Sequence, residues 1–222
     1  LKSFYISEKF EINFVLDSNL EKLKIAKKNY PKIKNFVSNI DELITYPKLI
    51  VLCASESSNL LYFNRLKDNI DINYFFVEKP FRLKNHLDYK NYKNKVIINY
   101  YRKFLPVYIN LKNQISSKIY GELKSLTIRY SKGVYNSLTH FIDLLVFLFN
   151  DSLKFENCSP LDKISLTDKD DFSLSFVIKD FNKNGAHAYF NSINYNDLYV
   201  IDIEFYFEKV KLEVKNYESE II

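Results

Sequence analysis

The chain has 222 residues, a formal net charge of +5 and only three glycines, Gly121, Gly133 and Gly185. Average usage near 7% predicts roughly 16 glycines, so no Gly-x-Gly-x-x-Gly or Walker-type phosphate loop can be assembled here. Hydrophobic content of 47% and aromatic content of 17% exclude a disordered chain, and lysines dispersed among 27 acids lack the clustered, arginine-bearing stripe of a nucleic-acid protein.

In chain order, the first eighty residues alternate strand-like and helix-like segments. Phe10–Leu16 reads as a strand and Asn19–Asn29 as a helix with Ser18 as its N-cap and Leu20, Leu23 and Ala26 on one side. Lys34–Val37 is a short strand, and Ile40–Thr45 a short helix capped by Asn39. Leu49–Ala54 is a continuous apolar run, as expected of a parallel strand covered on both faces. Ser57–Lys67 reads as a helix and Asn73–Val77 as another buried strand. Strands separated by short helices imply βαβ units and a doubly wound parallel sheet.

Beyond residue 95 the texture changes. Lys95–Tyr100 reads as a strand, Leu105–Ser117 as a helix and Glu122–Ser131 as a long strand with period-two alternation. Asn136–Phe149 is a helix apolar nearly all round, and therefore buried. Strand-like segments follow at 172–179, 186–193, 198–206 and 209–215. The fold class is thus α/β plus α+β: a partial Rossmann-like domain over 1–98, then a domain over 99–222 with an open, mostly antiparallel sheet.

Three places could carry chemistry. Asp17 ends the first strand, where a dinucleotide fold uses an acid to bind ribose hydroxyls; Asp17-Ser18-Asn19 reads equally as a turn and helix cap. Glu78-Lys79-Pro80 closes the 73–77 strand, and open α/β sheets bind ligands at the carboxyl ends of their strands. Pro80 restricts the Lys79 backbone, and a lysine held there can orient a hydroxyl or ease its deprotonation; the alternative is a solvated lysine. His140 lies in an apolar helix with Asn136 at i−4 and Asp143 at i+3, one polar stripe on a buried element. A neutral imidazole with a pKa near 6.5 suits a general base; the alternative is a core histidine bonded to Asp143 or a carbonyl.

Cys53 and Cys158 match no metal spacing, so no metal is expected, and they read as reduced thiols of a cytoplasmic protein. No apolar run reaches the roughly 18 residues of a membrane span.

Several segments, in order, resemble the glucose–fructose oxidoreductase / inositol dehydrogenase / MocA (Gfo/Idh/MocA) family. INFVLDSN resembles its second strand with the ribose-binding Asp, and DELITYPKLIVLCASESSNL its helix and the strand ending in a Cys-Thr-Pro-like loop. YFFVEKPF matches the Glu-Lys-Pro signature, and INYYRKFLP resembles the crossover into the second domain. IYGELKSLTIRY resembles that domain's first long strand, and KGVYNSLTHFIDLLVFLFND its Asp-x-Gly-x-His-x-x-Asp helix.

The resemblance implies hydride transfer between NAD or NADP and a carbon of a sugar, polyol or related compound. Lys79 and His140 would take the catalytic places, with Asn136, Arg102 and Tyr101 at the substrate. Asp17, Cys53, Ala54, Ser55, Glu78, Lys79 and Pro80 would face the cofactor, Asp17 favouring NAD because a carboxylate repels a 2′-phosphate. The implied partners are a sugar-like small molecule and further copies of the chain through the C-terminal sheet, with neither nucleic acid nor membrane.

Three departures stand out: Asn136 replaces a common Asp, Leu138 a common Gly and Asn59 a common His. The first Rossmann strand and its glycine loop have no counterpart, so residues 10–16 and 49–54 are expected to face a gap. A sequence that opens on Leu1 and contains no methionine is expected to be processed or a piece of something longer. The competing expectation is a non-catalytic sugar-binding or dimerising relative that has lost the cofactor loop.

Overall fold

A computed structural model describes residues 2–7, 9–83, 90–150, 158–165, 171–181, 185–193, 200–215 and 220–221. The chain divides into two compact units, one of residues 1–77 with 82–97 and the other of residues 78–81 with 98–222.

The first unit runs α1 (Lys2–Ile6), β1 (Phe14–Leu16), α2 (Leu20–Asn29), β2 (Asn35–Val37), a 3-10 turn (Ile40–Glu42), β3 (Leu49–Leu52), α3 (Glu56–Leu66), β4 (Tyr74–Val77) and β5, which starts at Val96 and ends at Ile98. Helix α2 is capped by Asn19, whose Oδ1 accepts the Lys22 N–H at 3.1 Å, and not by Ser18. An Asx cap needs its oxygen three residues before the bonded amide, and Asn19 holds that place. Only Leu23 of α2 is buried, and Leu20 is exposed, because the helix presents a narrow stripe. Asn39 caps this turn as expected, in a capping box with Glu42 reaching back to the Asn39 N–H at 2.8 Å, but the element is a 3-10 turn over Ile40–Glu42 and not a helix to Thr45.

The strands form two separate sheets, β1-β2 and β3-β4-β5. Within them β1 runs parallel to β2 and β3 parallel to β4, as the βαβ reading requires. Among the described residues no ladder joins β1 to β3. The apolar run of β3 is less enclosed than its composition suggests: Ile50 and Leu52 are buried, but Val51 is 38% exposed. The core of this unit gathers Phe63 and Leu66 of α3, Ile72, and Phe75 and Val77 of β4, with the Phe63 and Phe75 rings edge to face at 5.1 Å. Burying each such side chain contributes about 1.5–3 kcal/mol.

The second unit contains a 3-10 turn (Tyr101–Phe104), α4 (Pro106–Ser116), β6 (Leu123–Tyr130), a π turn (Val134–Leu138), α5 (Thr139–Phe149), β7 (Cys158–Ser165), β8 (Phe172–Ile178), β9 (His187–Ser192), β10 (Ile201–Phe207), β11 (Lys211–Lys215) and β12 (Glu220–Ile221). Its sheet has the order β12-β11-β10-β6-β9-β8-β7, with β6 and β9 parallel and the other pairs antiparallel. Strands β7 and β12 and helix α1 carry no clear periodic signal and are found only in three dimensions; residues 198–199 of the expected 198–206 strand lie outside the described residues.

Alternation on β6 and β10 turns Leu126, Ile128, Tyr130, Ile203 and Phe205 inward against Tyr108, Leu111, Phe141, Leu144, Leu145 and Leu148 of the helices. The opposite face is polar: Arg129 pairs with Glu204 at 3.3 Å, and Tyr206 donates to the same carboxylate at 2.6 Å. Pro106 opens α4 at a position where its missing N–H costs nothing.

Candidate functional site

The Glu-Lys-Pro segment belongs with the second unit. The Glu78 carboxylate accepts from the Asn99 amide at 2.6 Å, and the Lys79–Pro80 peptide is cis. Lys79 Nζ donates to the Asn136 backbone carbonyl at 2.9 Å and also to the Asn136 side-chain oxygen. Burial, reinforced by the Arg102 guanidinium, holds the Lys79 ammonium below its ordinary pKa, against opposing pulls from the Glu78 and Asp171 carboxylates.

Asn136 does not sit in the α-helix that the spacing predicts. Residues Val134–Leu138 form a π turn, in which the Leu138 N–H bonds to Gly133 O at 3.2 Å, and the α-helix begins at Thr139. The wider turn replaces the expected i−4 step between Asn136 and His140, leaving Asn136 exposed while His140 is buried at 4%.

His140 is not the satisfied core residue that its apolar helix allows. Asp143 bonds to Lys103 Nζ at 3.0 Å, and His140 Nδ1 is buried with no hydrogen-bond partner among the described residues. The rings of Tyr100 and Tyr101 stand edge-on to the imidazole at 5.3 and 5.6 Å. Its pKa also departs from the expected 6.5: burial first, then the charges of Arg102 and Lys79, push it down to about 4. The imidazole is therefore neutral at physiological pH and a weak base in the free protein.

Arg102 is 2% exposed, stacked over the rings of Tyr101 at 5.3 Å and Phe141 at 4.9 Å. Lys79, Asn136, His140, Arg102 and Tyr101 thus all lie in one unit. Sequence reasoning passed over Lys103, which holds Asp143, and Asp171, whose carboxylate accepts the N–H groups of Tyr135 at 3.0 Å and Asn136 at 3.2 Å. An acid with no periodic context in the sequence gives no signal for such a role.

The remaining candidates lie in the first unit. Asp17 is half-buried at the end of β1, and its Oδ1 accepts the Asn19 N–H at 2.9 Å, so the turn role is real whatever else the acid does. Cys53, Ala54 and Ser55 are exposed at the carboxyl end of β3; Cys53 is a free thiol and Ser55 caps α3. Asn59 buries its amide, 1% exposed, to bracket the Ala54 backbone, accepting its N–H at 3.0 Å and donating to its carbonyl at 3.2 Å.

The pyrophosphate of a dinucleotide has no matching cradle, since all three glycines fall at 121 or later. Among the described residues no group of three or more His, Cys, Asp or Glu is placed to hold a metal, and no helix is long and apolar enough to cross a membrane.

No protein-family model matches the sequence, and no curated protein does. Solved structures do match in fold. A myo-inositol dehydrogenase from Corynebacterium glutamicum superposes with a TM-score of 0.75 at 15% identity, covering 97% of this chain and 70% of the other. The apo scyllo-inositol dehydrogenase of Lactobacillus casei gives 0.69 at 12%, covering 100% and 75%. The WlbA dehydrogenase of Bordetella pertussis, in complex with NADH and UDP-GlcNAcA, gives 0.69 at 14%, covering 96% and 72%. The chain therefore has the fold of the Gfo/Idh/MocA-type dehydrogenases, an α/β Rossmann-like part followed by an open-sheet part.

Proposed function

We propose that this chain provides the substrate-handling part of an NAD(P)-dependent oxidoreductase that moves hydride between nicotinamide and a carbon of a sugar, polyol or sugar derivative. The observation that carries the reading is that Lys79, bonded to Asn136, and His140, whose buried Nδ1 has no hydrogen-bond partner among the described residues, both lie in the field of Arg102. A carbinol losing hydride must also lose its hydroxyl proton, and a lysine with a depressed pKa beside a neutral imidazole can hold and take that proton. In the reverse direction the Lys79 ammonium returns it to the forming alkoxide.

Asn136 holds the Lys79 ammonium and offers its amide to a substrate hydroxyl, with Tyr101 and Arg102 bounding the same unit. By the family resemblance Asp17 would hold the adenosine ribose and favour NAD, Cys53–Ser55 would lie by the nicotinamide ribose, and Glu78, Lys79 and Pro80 are further candidate cofactor contacts; the nicotinamide itself supplies the hydride acceptor. The polar outer face of the seven-stranded sheet is the surface for self-association, and the compartment is the cytoplasm.

The neutral Asn136 side chain, standing where the resemblance has an acid, favours a second reading, a non-catalytic sugar-binding or dimerising relative. Titration of these 222 residues with NADH, followed by fluorescence, is expected to give weak or no saturable enhancement. In protein that turns over a polyol, Lys79→Ala is expected to abolish kcat while leaving cofactor binding nearly intact. Unchanged kcat removes Lys79 from the mechanism, and sugar binding without turnover under any nicotinamide supply establishes the second reading.

A further inference from the structure

The carboxylate of Asp171, just before β8, accepts three backbone N–H groups: Tyr135 at 3.0 Å, Asn136 at 3.2 Å and its own neighbour Phe172 at 2.8 Å. Asn136, one bond further on, receives the Lys79 ammonium on both its backbone and its side-chain oxygens. We propose that Asp171 is a positioning residue for the lysine site: it fixes the π turn that presents Asn136 and supplies, from another strand, the negative charge that the neutral Asn136 side chain does not bring to Lys79. The assignment rests on reading Lys79 as the proton carrier.

A bare hydrogen-bonding role would be met by any acceptor. The charge matters because of what else faces Lys79. Arg102 on the 3-10 turn repels the ammonium, and His140 on α5 is neutral at physiological pH; among the described residues Glu78, tied to Asn99, and Asp171 are the carboxylates that favour the charged form, beside the Asn136 oxygens that accept from it. Without Asp171 the balance falls to a single carboxylate against a buried guanidinium, and the amine loses its proton more readily.

Direct titration of Lys79 tests this. Reductive 13C-methylation labels the lysines, and the Lys79 resonance is identified by its loss in Lys79→Arg. In Asp171→Asn, which keeps an oxygen acceptor but not the charge, the titration midpoint is expected to fall, raising the neutral-amine fraction at pH 8 about threefold. Adding Asn136→Asp to that variant is expected to bring the midpoint back. An unmoved midpoint in folded Asp171→Asn overturns the proposal, as does failure of the second substitution to restore it.

Should Asp171→Asn not fold, Asp171→Ser answers the same question: its Lys79 midpoint is expected to fall likewise, and an unmoved midpoint overturns the proposal. Neither readout needs cofactor or turnover, so this assignment and the proposed reaction fail independently.

Discussion

Lys79 and Asn136, 57 residues apart in sequence, meet through a bond from the lysine Nζ to the asparagine backbone carbonyl at 2.9 Å. Because the acceptor is a main-chain oxygen, the contact depends on where the turn runs, and the π turn between Gly133 and Thr139 decides that. A regular α-helical start would move that carbonyl into an intrahelical bond.

The depressed His140 pKa makes a signed prediction about acid stability. The group titrates near 4 in the folded chain against 6.5 for the ordinary side chain, so the unfolded state binds the extra proton between those values. The corresponding stability, about 3 kcal/mol, is fully present above pH 6.5 and is lost as the pH falls toward 4. Chemical denaturation at a series of pH values is expected to show this loss in the native sequence and a shallower dependence in His140→Gln. Parallel curves for the two proteins refute the assignment.

Asn59→Ala leaves the N–H and carbonyl of Ala54 without the buried amide that brackets them. The expected cost is about 1–3 kcal/mol, read as a lower denaturation midpoint. Hydrogen exchange at Ala54, just past the end of β3, is expected to quicken more than at Ile50 within that strand. Uniform quickening across β3 counts against a local clamp.

Gly133 stands at φ +83°, and a Cβ there would approach the Asp171 Cγ to 2.6 Å. Gly133→Ala therefore incurs both backbone strain and displacement of the carboxylate that binds the Tyr135 and Asn136 amides. We expect a loss of about 1–3 kcal/mol and perturbed amide resonances at residues 134–138. An unchanged spectrum there shows that the turn does not depend on Asp171.

Tyr130 spans from β6 to β8, donating to the Leu174 carbonyl at 2.6 Å and accepting its N–H at 3.2 Å. Burial pushes its phenol up to about 12, so the hydroxyl stays protonated through ordinary alkaline conditions. Tyr130→Phe is expected to destabilise by about 1–3 kcal/mol with the sheet otherwise intact by circular dichroism. An unaltered denaturation midpoint would show that water replaces the bond.

Much of the fold is legible before any coordinates, for reasons that differ by element. The α5 helix is apolar on nearly every side and β6 and β10 alternate strictly, so local periodicity reports their burial. The Asn39 cap and the βαβ rhythm are equally local. Strand β1 is three residues where seven are expected, because residues 10–13 carry strand-like side chains but find no ladder partner among the described residues. Strands β7 and β12 are held by their neighbours in the sheet, and that support has no signature in their own residues.

The candidate site divides in the same way. Composition and order alone determined that glycine is too scarce for a phosphate loop, that Lys79 ends a buried strand and that His140 lies on a buried helix. Only the tertiary structure decided that Asp143 is engaged by Lys103, that Arg102 and Lys79 share one field with an imidazole whose Nδ1 has no hydrogen-bond partner among the described residues, and that Asp171 stands behind Asn136. The reason is physical: periodicity records which face of an element is dry, whereas a pKa and a hydrogen-bond partner depend on charges brought close by chain segments far apart in sequence.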